Sequence, residues 1–362
     1  MIRHIVATGD WHLDARTSGV ARAEEIERSV WESAHYAASL TVGAAAGEAA
    51  FFFLGDLTDP EPDRIASAGP IHAAVGFASE IARYLRDEGV WTYWMTGNHD
   101  IVDDGTAAHV LLALAGAPAA RVVDRPGMVD GLPSSLALPY TPRCRSYDPA
   151  AAVREAGKPG IVFGHLNDEL VTDGAGSESN EMARGRSVCW PDRGLLAGSV
   201  CVGGHYHRAM TVRGIHYAGA PARLTHGEED HQPGFIVLQF DEVGFLNVWN
   251  VSRIPFKGAR RLVTIRSLEE MAPEKKGKLD GALVRLALPE DAPGESAAAE
   301  GIARSRGAAA VRVEPERRKT AAPAGARATR REAALAVANE IASADRAALL
   351  EHVGRRLSEG GV

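Results

Sequence analysis

Five short stretches place ligand-type side chains directly behind a hydrophobic run and a glycine. They are "TGDWHLD" (Asp10, His12), "LGDLTD" (Asp56), "TGNHD" (Asn98, His99, Asp100), "FGHLND" (His165) and "VGGHYH" (His205, His207). Mixed carboxylate, imidazole and amide donors suit borderline-hard divalent ions such as Mn²⁺, Fe²⁺ or Zn²⁺ rather than a sulfur-loving metal. There are enough donors for two ions. A pair about 3.5–4 Å apart needs a bridging carboxylate, for which Asp56 is the candidate, and can clamp a phosphoryl group while activating water. An imidazole changes protonation near neutral pH, which makes His99 a candidate general acid. Any one stretch alone would be an ordinary loop; the repetition of one pattern in order along the chain carries the reading. The glycines are expected to permit a sharp turn behind each strand. Asp14 and Asp59 are expected to serve turns or a helix cap, and His4, His35, His72, His109 and His352 lie in strand or helical patterns with no expected function.

The elements that must position these residues alternate in type. Residues 2–8 and "AAFFFLGD" read as buried strands, with apolar residues at helical spacing over 21–40 between them. An amphipathic helix, "IHAAVGFASEIARYLRDEGV", then leads to a third strand, "VWTYWMTGNHD". This βαβαβ rhythm predicts a layered α/β core whose chemistry lies at the carboxyl ends of the strands. From Val122 strands follow more closely: "RVVDRPGMV", "SSLALPY", "GIVFGH", "SVCVGGH", "GIHYAGAP", "GFIVLQF" and "FLNVWNV". The segments expected are a core over 1–255, a small strand–helix–strand module over 256–316, a basic Ala/Pro/Gly-rich linker over 317–329 and a helical tail over 330–362.

With 362 residues, 45% of them hydrophobic and 24% charged, the chain has room for about two domains and a large core. No apolar run approaches the roughly 20 residues of a membrane span, and the start of the chain has no signal-peptide pattern, which predicts a soluble, cytoplasmic protein with no membrane partner. Three cysteines, Cys144, Cys189 and Cys201, have no metal-type spacing and are expected as reduced thiols. A net charge of −7 does not advertise a broad basic nucleic-acid surface, but bound divalent cations would themselves attract phosphate.

The ordered motifs "D-x-H", "GD", "GNHD", "GH" and "GHxH" resemble those of the calcineurin-like metallophosphoesterases. The resemblance implies a four-layer α/β/β/α sandwich in which Asp10, His12, Asp56 and His207 hold one metal and Asp56, Asn98, His165 and His205 the other. It further implies that His99 contacts the phosphate and protonates the leaving oxygen, that Asp100 orients His99, and that Gly204 turns the chain so that His205 and His207 reach different ions.

Beyond the metal motifs, "IHYAGAPARLTHGEEDHQPGFIVLQFDE" and "LALPYTPR" resemble the SbcD-type DNA repair nucleases, as does the order of core, small α/β cap domain, linker and helical tail. Gly219-Ala220-Pro221 departs from the commoner Gly-Ser-Pro, Asp59 stands where archaeal and eukaryotic relatives carry histidine, and the short chain leaves a phage-encoded form open. This branch implies Mn²⁺-dependent 3′→5′ exonuclease and endonuclease action on DNA, as a homodimer bound to an SbcC-type SMC-like ATPase. Residues 330–357 would meet that ATPase, and 21–40 and 65–90 are candidate dimer surfaces. Arg143, Arg145, Arg208 and Arg223 stand near motif loops and are candidates for the DNA backbone. One rival is a cyclic-nucleotide or other small-molecule phosphodiesterase, against which the cap and tail count. Another is a scaffold that has lost catalysis, against which the complete ligand set counts.

Overall fold

Alternation of side chains along the strands builds this α/β protein around two large six-stranded sheets. The computed structural model describes residues 2–41, 47–58, 68–102, 105–106, 108–117, 120–132, 134–168, 188–240, 248–271, 279–288 and 293–314. The chain divides into two compact units, Met1–Glu316 and Arg317–Val362. The expected linker and tail, and Asp59, lie outside the described residues.

The strands in chain order are β1 (His4–Thr8), β2 (Arg16–Thr17), β3 (Val20–Ala21), β4 (Ala49–Phe53), β5 (Trp91–Met95), β6 (Ala120–Val123), β7 (Gly127–Met128), β8 (Ser135–Leu138), β9 (Ile161–Gly164), β10 (Val200–Gly203), β11 (Met210–Val212), β12 (Ile215–Tyr217), β13 (Gly234–Phe240), β14 (Val248–Pro255), β15 (Leu262–Ile265), β16 (Leu283–Leu286) and β17 (Ala310–Val313). Among the described residues four helices join them: α1 (Ala23–Ser39), α2 (Ala68–Asp87), α3 (Pro149–Glu155) and α4 (Pro293–Ser305).

The first sheet runs β14-β13-β1-β4-β5-β6 and the second β11-β12-β10-β9-β8-β7. Each has a parallel centre, β1-β4-β5-β6 in one and β8-β9-β10-β12 in the other, flanked by antiparallel strands. Parallel pairing aims the carboxyl ends of neighbouring strands the same way, and those ends carry the motifs. On the first sheet, Val6, Phe51, Phe53 and Trp94 pack against Ile26, Val30, Phe77 and Ile81 of the helices α1 and α2. Their strand neighbours Ile5, Ala7, Phe52 and Tyr93 join Phe163 and Val202 of the second sheet in a shared core. The rings of Phe52 and Phe163 stack with centroids 3.9 Å apart. On the second sheet Leu136, Leu138, Val162 and Cys201 face away from that core and pack with Val153 of α3 and Trp190. Strands covered on both faces explain near-continuous apolar runs such as "AAFFF".

"RVVDRPGMV" is one strand in the sequence reading but two in the structure, β6 in the first sheet and β7 in the second. Pro126, which cannot donate to a ladder, stands at the crossing. The strands β15, β16 and β17 form a separate parallel sheet whose core includes Val263, Val284, Ala299 and Ala303. Two carboxylates, the buried Glu25 and the half-buried Glu229, connect it to the rest of the chain: Glu25 Oε1 accepts the backbone N–H of Arg260 at 2.7 Å, and Thr264 Oγ1 donates to Glu229. Among the described residues no helix is long and apolar enough to cross a membrane.

Candidate metal centre

Beyond their strand ends, the loops after β1 and β4 remain zipped together. Asp10 N–H donates to Gly55 O at 2.8 Å, Trp11 N–H to Asp56 O at 2.8 Å and Leu13 N–H to Leu57 O at 3.0 Å. Trp11 is fully buried, edge-on to Phe53 with centroids 4.7 Å apart, and this anchor sets the flanking Asp10 and His12 toward the centre. Asp10, His12, Asp56 and His205 hold backbone φ of 52°, 43°, 62° and 86°. Side chains other than glycine rarely adopt this region, and such backbones concentrate at functional sites.

Glycine serves these loops by close approach more than by turning. Of the glycines in the five motifs only Gly55, at φ 104°, occupies the left-handed region. A Cβ on Gly97 would lie 2.2 Å from Asp56 Oδ1, and one on Gly204 would lie 2.6 Å from Leu54 O. The expected turn at Gly204 is made instead by His205 itself, and Gly204 lets the second sheet's loop rest on the first sheet's backbone.

Among the described residues two groups of buried side chains could hold a metal ion: Asp10, His12 and Asp56, and Asp56, His165 and His205. Asp56 belongs to both. In the second group His165 Nδ1 lies 2.7 Å from the Leu54 carbonyl, which only accepts, so Nδ1 carries the proton. Nε2, the nitrogen left for a metal or a second proton, lies 2.8 Å from Asn98 Oδ1 and 3.2 Å from Asp56 Oδ2. His205 Nε2 donates to Asn167 Oδ1 at 2.7 Å, which leaves Nδ1 facing the same Asn98 oxygen at 3.0 Å. Oxygen and ring-nitrogen atoms converging on one buried point call for positive charge, which a metal ion or a proton on His165 supplies.

The first group repeats this pattern. His207 Nδ1 faces Glu228 Oε1 at 3.3 Å, and its Nε2 stands 3.0 Å from His12 Nε2. His12 Nε2 is 3.8 Å from Asp56 Oδ2. Asp10 Oδ1 accepts the backbone N–H of His205 at 2.7 Å, whereas its buried Oδ2 has no hydrogen-bond partner. An orphaned buried carboxylate oxygen beside two imidazoles fits a divalent ion. Protonation registers the same demand for positive charge. Burial lifts Asp10 to about 6, with Asp56 adding and His165 opposing. Burial also works against charge on His165, yet the Asp56 and Asp10 carboxylates hold it up at about 9.

All seven sequence-predicted ligands, Asp10, His12, Asp56, Asn98, His165, His205 and His207, thus meet around these two groups. His99 is half-buried beside them, its ring edge-on to His12 at 4.9 Å between centroids and its backbone N–H on Asp56 Oδ1 at 2.9 Å. Asp100 does not orient the His99 ring as the resemblance implies. Its oxygens accept the backbone N–H groups of Asp56 at 2.9 Å, Leu57 at 2.9 Å and Gly97 at 2.8 Å, so it clamps the two loops. Arg223 is buried with Nη1 on the Arg260 carbonyl at 3.0 Å, a structural contact rather than one open to a substrate. Arg145 pairs with Asp124 at 3.0 Å, and Arg143 is exposed on the 3-10 turn it shares with Arg145.

The sequence reading missed two residues that hold the imidazoles. Asn167 fixes His205, and Glu228 receives His207 together with Leu224 N–H at 2.8 Å and Thr225 Oγ1 at 2.9 Å. Such partners fix the tautomer and raise the basicity of the ligating nitrogen. Their sequence signal was their place within the quoted motif segments "GHLND" and "HGEED".

No protein-family model and no curated protein matches the chain. Among solved structures it is similar to a cold-active protein tyrosine phosphatase, 14% identical over 72% of this chain and 78% of that one, with a TM-score of 0.32. The cold-active protein-tyrosine phosphatase of a psychrophilic Shewanella species is 13% identical over 72% and 80%, also with a TM-score of 0.32. At that distance neither likeness bears on the reading of the centre.

Proposed function

We propose that the protein is a two-metal phosphodiesterase of the calcineurin-like, four-layer α/β/β/α type, and that its substrate is DNA. The observation that carries the reaction class is the Asp56 carboxylate, common to two buried groups of carboxylate and imidazole side chains, with the Asn98 oxygen beside both imidazoles of the second. Asp10, His12, Asp56 and His207 would hold one ion, and Asp56, Asn98, His165 and His205 the other. When bound, a pair of divalent ions, Mn²⁺ by the resemblance, supplies Lewis-acid stabilisation of the phosphoryl oxygens and acidifies water.

The chain's own groups do the rest. Leu54 O, Asn167 and Glu228 fix three imidazoles, so the ligand lone pairs are aimed in advance. His99 stands beside this centre with access to solvent. There it protonates the leaving oxygen as the P–O bond breaks and recovers its proton from water. Support for DNA comes from the sequence resemblance to the SbcD-type nucleases, and with it the expectation of an SbcC-type partner, a homodimer and a cytoplasmic location.

The test is incubation with Mn²⁺ of end-labelled linear DNA and, separately, of 2′,3′- and 3′,5′-cyclic nucleotides, with Asp56→Ala as control. DNA degradation that the variant loses is expected. Turnover of cyclic nucleotides with DNA left intact would overturn the substrate while keeping the centre.

A further inference from the structure

One residue beyond His207 the chain enters the wall of a second feature, a cavity of about 400 Å³ lined by Arg208, Ala209, Asp230, His231, Gln232 and Arg253. Arg208 makes no hydrogen bond or ion pair among the described residues, although its charge reaches His231. Arg253 is braced from behind: its Nη2 donates to Tyr217 O at 2.8 Å and Met210 O at 3.1 Å, leaving its other guanidinium donors uncommitted by these bonds. His231 is 3% exposed, and its Nδ1 accepts the backbone N–H of Ala209 at 3.2 Å. The proton of the neutral ring is therefore on Nε2, which is closed off from solvent with the Ala220 backbone carbonyl nearby. Asp230, the only carboxylate of these six, is exposed, so water screens its charge.

Two guanidinium groups form a donor set for an oxyanion, and guanidinium donors match phosphate oxygens. The volume falls within the roughly 300–1,000 Å³ of small-ligand sites, room for a phosphate with its sugar. The geometry points to a second phosphate subsite, formed by Arg208 and Arg253, that holds a neighbouring phosphodiester of the strand whose scissile phosphate lies at the metal centre. This inference rests on the proposed action on nucleic acid and adds to it a binding site that the metal motifs do not contain. A substrate with a single phosphate cannot use both sites.

The experiment compares the full chain with Arg208→Ala and Arg208→Lys. Binding of a fluorescent single-stranded oligonucleotide is followed by anisotropy in EDTA across a salt series, and kcat/KM with Mn²⁺ is measured on that oligonucleotide and on bis(p-nitrophenyl) phosphate. Arg208→Ala should bind the strand about tenfold more weakly and shallow the slope of log K against log salt by about 0.7, the loss of one phosphate contact. Its kcat/KM should fall about tenfold further on the oligonucleotide than on the small diester. Arg208→Lys should keep the salt slope and lose part of the affinity, because the charge survives without the fork. Wild-type affinity and slope in Arg208→Ala, or equal losses on both substrates, would overturn the subsite. A wild-type protein that hydrolyses the small diester but neither binds nor cleaves the strand would overturn the substrate class as well.

Discussion

The carboxylate of Asp100 accepts the backbone N–H of Asp56 at 2.9 Å, so the residue shared by both metal groups is held from behind by a side chain outside them. Leu57 and Gly97 donate to the same carboxylate, which joins the loops after β4 and β5. Replacement by alanine orphans three buried N–H groups, each at a cost of about 1–3 kcal/mol. Asp100→Ala should therefore lose about 3 kcal/mol or more in urea denaturation in EDTA, with Asp100→Asn in between because its one carbonyl oxygen still accepts. Stability equal to wild type in both variants would show that the clamp is not what holds Asp56.

Much of this was legible in the sequence. The apolar runs that became β1, β4, β5, β9 and β10 are buried on both faces, and residues with that burden have little freedom to be anything but strand. The ligands were legible because each follows such a run. Long-range partners were not: Glu228 meets His207 across 21 residues and Asn167 meets His205 across 38, distances at which no local pattern operates. The role of Asp100 escaped for a related reason. Its partners are backbone N–H groups, which every non-proline residue carries, so nothing in residue type announces them. The same holds for the short strands β2 and β3, which pair only with each other.

Glu228 offers a direct test of positioning. Its carboxylate lies 3.3 Å from His207 Nδ1 and is buried, and the pairing holds the Glu228 carboxyl below the usual range although burial pushes the other way. Glu228→Gln keeps the shape and removes the charge. Loss of such an outer partner lowers metal affinity about 10–100-fold. Calorimetric titration with Mn²⁺ should show that loss for the ion held by His207, with the other ion little affected. Two ions bound with unchanged affinity would reduce Glu228 to a support of the Thr225–Glu228 turn.

His99 should separate chemistry from metal binding. Its backbone N–H is tied to Asp56, so His99→Ala retains the 2.9 Å link to Asp56 Oδ1. General-acid catalysis contributes about 10²–10⁴-fold. A loss of that size is expected on an alkyl-leaving-group diester, and a much smaller one on bis(p-nitrophenyl) phosphate, whose leaving group departs without a proton. Equal losses on the two substrates would remove His99 from the acid role, and Mn²⁺ stoichiometry measured on the same variant would show whether the centre had been damaged instead.

The ionisation of His231 makes stability depend on pH in a defined direction. Burial is the main cause holding the ring at about 4, against an ordinary value of 6.5, with Arg223 and Arg208 adding and Glu228 and the Ala220 backbone opposing. Between those two values the unfolded chain binds a proton that the folded chain refuses, so stability rises with pH across that window. The contribution is fully present above pH 6.5 and is lost as pH falls through 6.5 toward 4, on the order of 3 kcal/mol at full extent. His231→Asn retains an acceptor for the Ala209 N–H, at 3.2 Å in the wild type, and does not titrate. Urea midpoints measured in EDTA at pH 7.5 and pH 5 should therefore fall less for His231→Asn than for the wild type. Parallel decreases in the two proteins would mean that the ring is already open to protons in the native state, and a phosphate held at the neighbouring arginines would then meet a cationic His231 at low pH.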